Sequence, residues 1–113
     1  MPEADDRVPV VFGSAEAAGE GDALLIEGEA SAPPGRAVAR YVLPEGGHAP
    51  GCACCVPRGP AAEALGRLFL ARVRGEAPFF TRVVAVAAGM AGRAAVADAL
   101  RRDPLARARF RLG

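Results

Sequence analysis

Phe79-Phe80-Thr81-Arg82-Val83-Val84-Ala85-Val86-Ala87 is the stretch on which the fold turns. Valine and phenylalanine favour pleated backbone, and Val83 to Ala87 is apolar without interruption. Such a run fits a strand buried on both faces, at the centre of a sheet. Before it, Ala61, Leu65, Leu68, Phe69 and Val73 recur at three- and four-residue spacing, while Glu63, Arg67, Arg72 and Arg74 take the opposite face. The spacing predicts a helix from 60 to about 75, begun by Pro60 at its first position and stopped near Gly75 and Pro78. After the strand, Gly89 precedes a second helix from Ala91 to Arg102. The tail, with Leu105, Phe110 and Leu112 set among arginines, fits a last helical turn plus an edge strand.

Further upstream, Val8-Pro9-Val10-Val11-Phe12 is a short β-type run ended by Gly13. Asp22 to Glu27 is a second, bounded by Gly21 and Gly28. Pro33-Pro34-Gly35 marks a turn, and Ala37 to Leu43 alternates as a third strand. These spacings are too short for full crossover helices, so adjacent pairs are expected to be antiparallel. The whole reads as one α/β domain over residues 1–113: a small three-layer-like arrangement with a mixed, partly parallel sheet of about four strands and two main helices. Residues 1–47 form its strand-rich part, 48–59 a cysteine loop, and 60–113 a helix-strand-helix part. No internal repeat or linker interrupts it.

Composition narrows the chemistry. The 113 residues are 51% apolar, leaning on alanine, with few aromatics and no Trp. Such a core buries modest area per residue and predicts ordinary or marginal stability. A net charge of +1 gives no electrostatic case for a nucleic-acid partner. The chain contains no Lys, Asn or Gln, which excludes a Schiff-base lysine and a phosphate-gripping lysine. No stretch reaches the roughly 18 consecutive apolar residues of a membrane span. The acidic start, Met1-Pro2-Glu3-Ala4-Asp5-Asp6, is unlike a signal peptide, so the expectation is a cytoplasmic protein.

Pro44 to Gly59 is a loop rich in Pro and Gly, and it carries His48-Ala49-Pro50-Gly51-Cys52-Ala53-Cys54-Cys55. Three cysteines within four positions, in a reducing compartment, do not make a disulfide framework. Zinc takes about four soft or borderline ligands in a tetrahedron. A Cys-x-Cys pair can chelate from a bent loop, Cys55 can join if the chain reverses at Cys54, and His48 lies four residues before Cys52. Glu45 or water are alternative fourth donors. Cysteines also serve as small buried hydrophobes, and a vicinal Cys54–Cys55 disulfide or a reactive thiolate is a redox alternative. A Cys/His nucleophile pairing with His48 is an enzyme alternative, although Ser14 and Ser31 lack any catalytic context.

The cluster resembles the CobW-type metallochaperone GTPases, whose Gly-Cys-x-Cys-Cys signature stands here as Gly51-Cys52-Ala53-Cys54-Cys55. The order that follows is similar too: Arg58, the helix with Leu65 and Leu68, the strand Val83 to Val86, the turn Ala87-Ala88-Gly89-Met90-Ala91, then Asp103-Pro104-Leu105 and Arg109-Phe110-Arg111-Leu112. The resemblance spans residues 51 to 113. It implies a largely parallel α/β domain and a zinc ion on Cys52, Cys54 and Cys55. The family's use of GTP does not carry over. A phosphate-binding loop needs a Lys and a Ser/Thr, and after the first strand this chain offers Gly13-Ser14-Ala15-Glu16-Ala17-Ala18-Gly19-Glu20. The acidic residue expected at the end of the later strand is Val86, the turn hydroxyls are Ala87 and Ala88, and an expected Asp-Pro pair is Gly92-Arg93. Guanine recognition through Asn-Lys-x-Asp is excluded by composition.

The sequence therefore predicts a metal-binding, pseudo-GTPase relative: no enzyme, no nucleotide, zinc as cofactor. It would act as a small metallochaperone, buffer or accessory, with a metalloprotein client or an intact family GTPase as partner, and with neither nucleic acid nor membrane. The alternatives are a non-catalytic interaction subunit with vestigial cysteines, its partner surface on the tail from Leu105 to Leu112, or a thiol redox protein. For that tail, packing on its own domain is the simpler expectation.

Overall fold

The chain runs β1 (Val8–Phe12), a 3-10 turn (Ala15–Ala17), β2 (Asp22–Glu27), β3 (Val38–Tyr41), α1 (Pro60–Arg74), β4 (Arg82–Val86), α2 (Met90–Arg102), α3 (Pro104–Arg109) and β5 (Phe110–Leu112) in a computed structural model, which describes residues 6–43 and 59–113. The strands form one sheet in the order β3-β2-β4-β1-β5. As expected, β4 is central: Val83, Val84 and Ala85 are all essentially inaccessible. The α/β class is the one the sequence predicts, with a fifth strand and a third helix among the described residues. The tail supplies both, as a helical turn and an edge strand.

The expected antiparallel pairing of early neighbours is wrong. β4 lies between β1 and β2, and β2 pairs with β3 in parallel, as does every other pair in the sheet. The return needs no helix. A strand of four to six residues is only about 13–20 Å long, and ten residues of irregular chain can span about 33 Å. Residues 28–37 therefore suffice to cross back. Arginines fasten that crossover in place of a helix. Arg40 donates to Gly28 O at 2.9 Å and Ala30 O at 2.8 Å, and Arg36 donates to Ala18 O at 3.4 Å.

Alternation along the strands divides the core in two. Val10, Leu25, Val83 and Ala85 face the helices, meeting Leu65, Leu68, Val96, Leu100 and Phe110. On the other face Leu24, Ile26 and Val84 are covered by Ala15, Ala18 and Ala32, from the 3-10 turn and the crossover. The third layer is thus thin and carries no α-helix among the described residues. α1 stops at Gly75, whose φ of 71° is left-handed and whose N–H reaches back to Ala71 O and Arg72 O.

Two apolar residues leave their expected places. Val73 is 64% exposed, on the solvent side of the last turn of α1. Phe79 is equally exposed, and β4 begins only at Arg82. Phe79 and Phe80 instead clamp Arg72, whose guanidinium lies 4.3 and 5.3 Å from their ring centres and donates to Phe80 O at 2.9 Å. At the amino edge, Asp22 is buried in an ion pair with Arg82, at 2.6 and 3.1 Å, and accepts Gly19 N–H at 2.9 Å. The hydrogen bond from Arg82 holds the Asp22 carboxyl below its ordinary range.

Candidate functional site at the carboxyl edge

In open parallel sheets, ligands bind outside the carboxyl ends of the strands. Phe12, Glu27, Tyr41 and Val86 mark that edge here. The described chain breaks off at Leu43, just past β3, and resumes at Gly59, the cap of α1. The predicted ligands His48, Cys52, Cys54 and Cys55 lie outside the described residues, as do Glu45 and Arg58. Among the described residues, no three His, Cys, Asp or Glu side chains are grouped so as to hold a metal.

Beside Gly59, a cleft of about 390 Å³ runs between the first turn of α1 and the outer part of α2 and is bordered by Asp98 and Asp103. Both carboxylates are already engaged. Asp98 pairs with Arg101, whose hydrogen bond holds its carboxyl low. Asp103 caps α3 by accepting Ala106 N–H at 2.9 Å.

The described part of the edge is organised around Glu27, a residue that sequence reasoning treated only as the end of a strand. Its Oε1 accepts Ala88 N–H at 2.7 Å, just before the first turn of α2. The cap of that helix, Gly89, offers no side chain, so the carboxylate supplies negative charge where the backbone N–H groups gather. Gly92 makes room for it. A Cβ at Gly92 would overlap Glu27 Oε1 and lie 2.7 Å from Cδ. Gly92 O in turn accepts the hydroxyl of the buried Tyr41 at 3.0 Å. Burial, then the nearby Glu27 charge, pushes the Tyr41 pKa up to about 12, so the phenol stays a donor at neutral pH.

The sequence carried one cue to this arrangement, Gly92-Arg93 standing where the resemblance expects Asp-Pro. Arg93 lies over the Phe12 ring at 4.5 Å. Glu27 stands one strand across from the end of β4, because Ile26 pairs with Val86 and Glu27 follows.

Comparison with family models, with curated proteins and with solved structures finds no match for this chain. Among the described residues no helix is long and apolar enough to cross a membrane.

Proposed function

We propose that this chain is a cytoplasmic metal-binding protein of the CobW type without GTPase activity, taking zinc on Cys52, Cys54 and Cys55 with His48 as fourth donor. It acts as a small metallochaperone, buffer or accessory to a metalloprotein client or an intact family GTPase. The observation that carries this reading is the sequence Gly51-Cys52-Ala53-Cys54-Cys55. Three thiolates and an imidazole form a donor set suited to a tetrahedral, borderline-soft ion.

Two features of the described fold support the loss of nucleotide chemistry. The turn after β1 leads into a 3-10 turn of three residues, Ala15–Ala17, instead of a helix whose N–H groups could cradle phosphate. The N-terminal region of α2 meets the carboxylate of Glu27, which would repel an arriving phosphate. Bound zinc would supply a closed thiolate site for holding or passing on the ion, with no chemistry asked of the protein beyond ligation.

The test is metal content. Protein purified without chelator should carry about one zinc per chain, and the variant with Cys52, Cys54 and Cys55 changed to Ser should carry none. Affinity should fall in acid, because the thiols must lose protons to bind. Equal metal in the two proteins refutes the reading.

A further inference from the structure

We infer that the groove between α1 and α3 is a docking surface for an acidic amphipathic segment of a partner protein. A leucine-sized side chain would seat beside Phe69 and Phe110, with carboxylates facing Arg67 and Arg109. The inference stands on the helix layer alone and is independent of the cysteine segment.

The groove has a volume of about 350 Å³. Phe69 and Phe110 meet edge-to-face there, with ring centres 6.2 Å apart. Gly66 and Ala106 keep its walls low, while Leu70 and Leu105 stand 48% and 59% exposed along it. The tail therefore serves two ends. Ala106 and Phe110 pack on their own domain, as the simpler expectation had it, and Leu105 faces water beside an apolar cleft. An apolar cleft with exposed leucines at its sides is the form in which a helix face or extended peptide buries its anchors.

Charge selects the occupant. Arg109 lies over the Phe69 ring at 4.8 Å, which holds its cation at the mouth of the groove. Arg67 lines the same groove and donates to a backbone carbonyl, Arg40 O, at 2.7 Å, so that bond leaves its charge unneutralised. Among the described residues, Glu63 is the one carboxylate in the lining. The imbalance extends beyond the groove. Residues 59–113 contain ten arginines against four carboxylates, whereas residues 6–43 contain six carboxylates against three arginines. The net charge of +1 conceals a basic helical half. A nucleic acid would answer those arginines but leave Leu70 and Leu105 wet, so an acidic segment with apolar anchors is the better complement.

The test titrates the full chain with a fluorescent peptide of about twelve residues, made of Glu and Ala with a pair of Leu four apart, at about 0.15 M salt. Controls replace Leu by Ser, or Glu by Arg. The acidic leucine peptide should bind at least about tenfold more tightly than either control. Leu105→Asp and Arg109→Glu should each weaken it about tenfold with unchanged circular dichroism, since both side chains are exposed, and Arg109→Glu should improve binding of the arginine peptide. Four outcomes overturn the inference: no binding up to about 1 mM, equal binding of the leucine and serine peptides, an oligothymidine that binds more tightly than the peptide, or a concentration-dependent dimer that Leu105→Asp abolishes while no peptide binds.

Discussion

Substituting Gly92 by Ala tests the arrangement at the carboxyl edge most directly. Gly92 occupies the first turn of α2, where alanine would ordinarily gain up to about 1 kcal/mol of helix propensity. The new Cβ would overlap Glu27 Oε1. A carboxylate at the end of a flexible side chain can swing away, but doing so gives up the 2.7 Å bond from Ala88 N–H beside the helix end. A charge-assisted bond of this kind is worth about 1.5–3 kcal/mol. Ala88 is exposed, so water recovers part of it, and a loss near 1 kcal/mol follows. Gly92→Ala should therefore be neutral or slightly destabilising in the wild-type chain. In a Glu27→Ala background, where nothing stands in the way, it should stabilise by roughly 0.5–1 kcal/mol. The coupling between the two positions is then about 1 kcal/mol, or about 4 °C in Tm for a chain of this length. Urea unfolding of the four proteins measures it through the midpoint at constant m. Additive effects, with coupling below about 0.3 kcal/mol, would show that Glu27 and Gly92 do not compete for space.

The amino edge and the phenol give two further expectations. Asp22→Ala removes the acceptor of two Arg82 bonds and one Gly19 bond and should cost about 2 kcal/mol. Because the folded-state pKa of Asp22 is depressed, its contribution is present above the unfolded carboxylate range near about 4 and disappears as pH falls through the folded value. Acid unfolding of the variant should accordingly show a weaker pH dependence below that range than wild type, and an identical slope would refute the pair's role. Tyr41 is the only tyrosine, so ultraviolet titration should give a single midpoint near 12. Its neutral form is the folded one, so stability should fall as pH rises through the unfolded value near about 10. A midpoint at the free-phenol value would show the ring is open to water.

The elements that sequence reading located are those whose signal is a period or a punctuation mark. Pro60 and Gly75 bracket α1 because one lacks an N–H the helix does not need there and the other accepts a left-handed φ. Val83 to Val86 announced a central strand because burial on both faces leaves no place for a polar residue. Strand direction carries no such signal, because it depends on what fills the return path. Arg36 and Arg40, which fasten that path, look in sequence like any solvated arginine. Val73 and Phe79 depart from their expected places for a related reason. Periodicity assigns a face but cannot show that the helix layer ends before the last turn, or that Arg72 will stack on a ring.

Glu27 shows why the edge itself was hidden. Its significance is a distance across two strands and a helix start, and it exists only because residue 92 has no side chain. A glycine in the first turn of a helix reads locally as a weakness; in the fold it makes room for a carboxylate. The missing side chain at Gly92 lets an acidic group enter from the neighbouring strand. Position 92 and position 27 therefore constrain one another: a chain with a side chain at 92 has no room for this Glu27 rotamer, and one without the Glu27 carboxylate leaves the helix end open to an external anion. Binding of inorganic phosphate to Glu27→Ala, absent in wild type, is the expected sign of that exchange; equal binding, or none by either protein, would mean that this helix end does not select anions through Glu27.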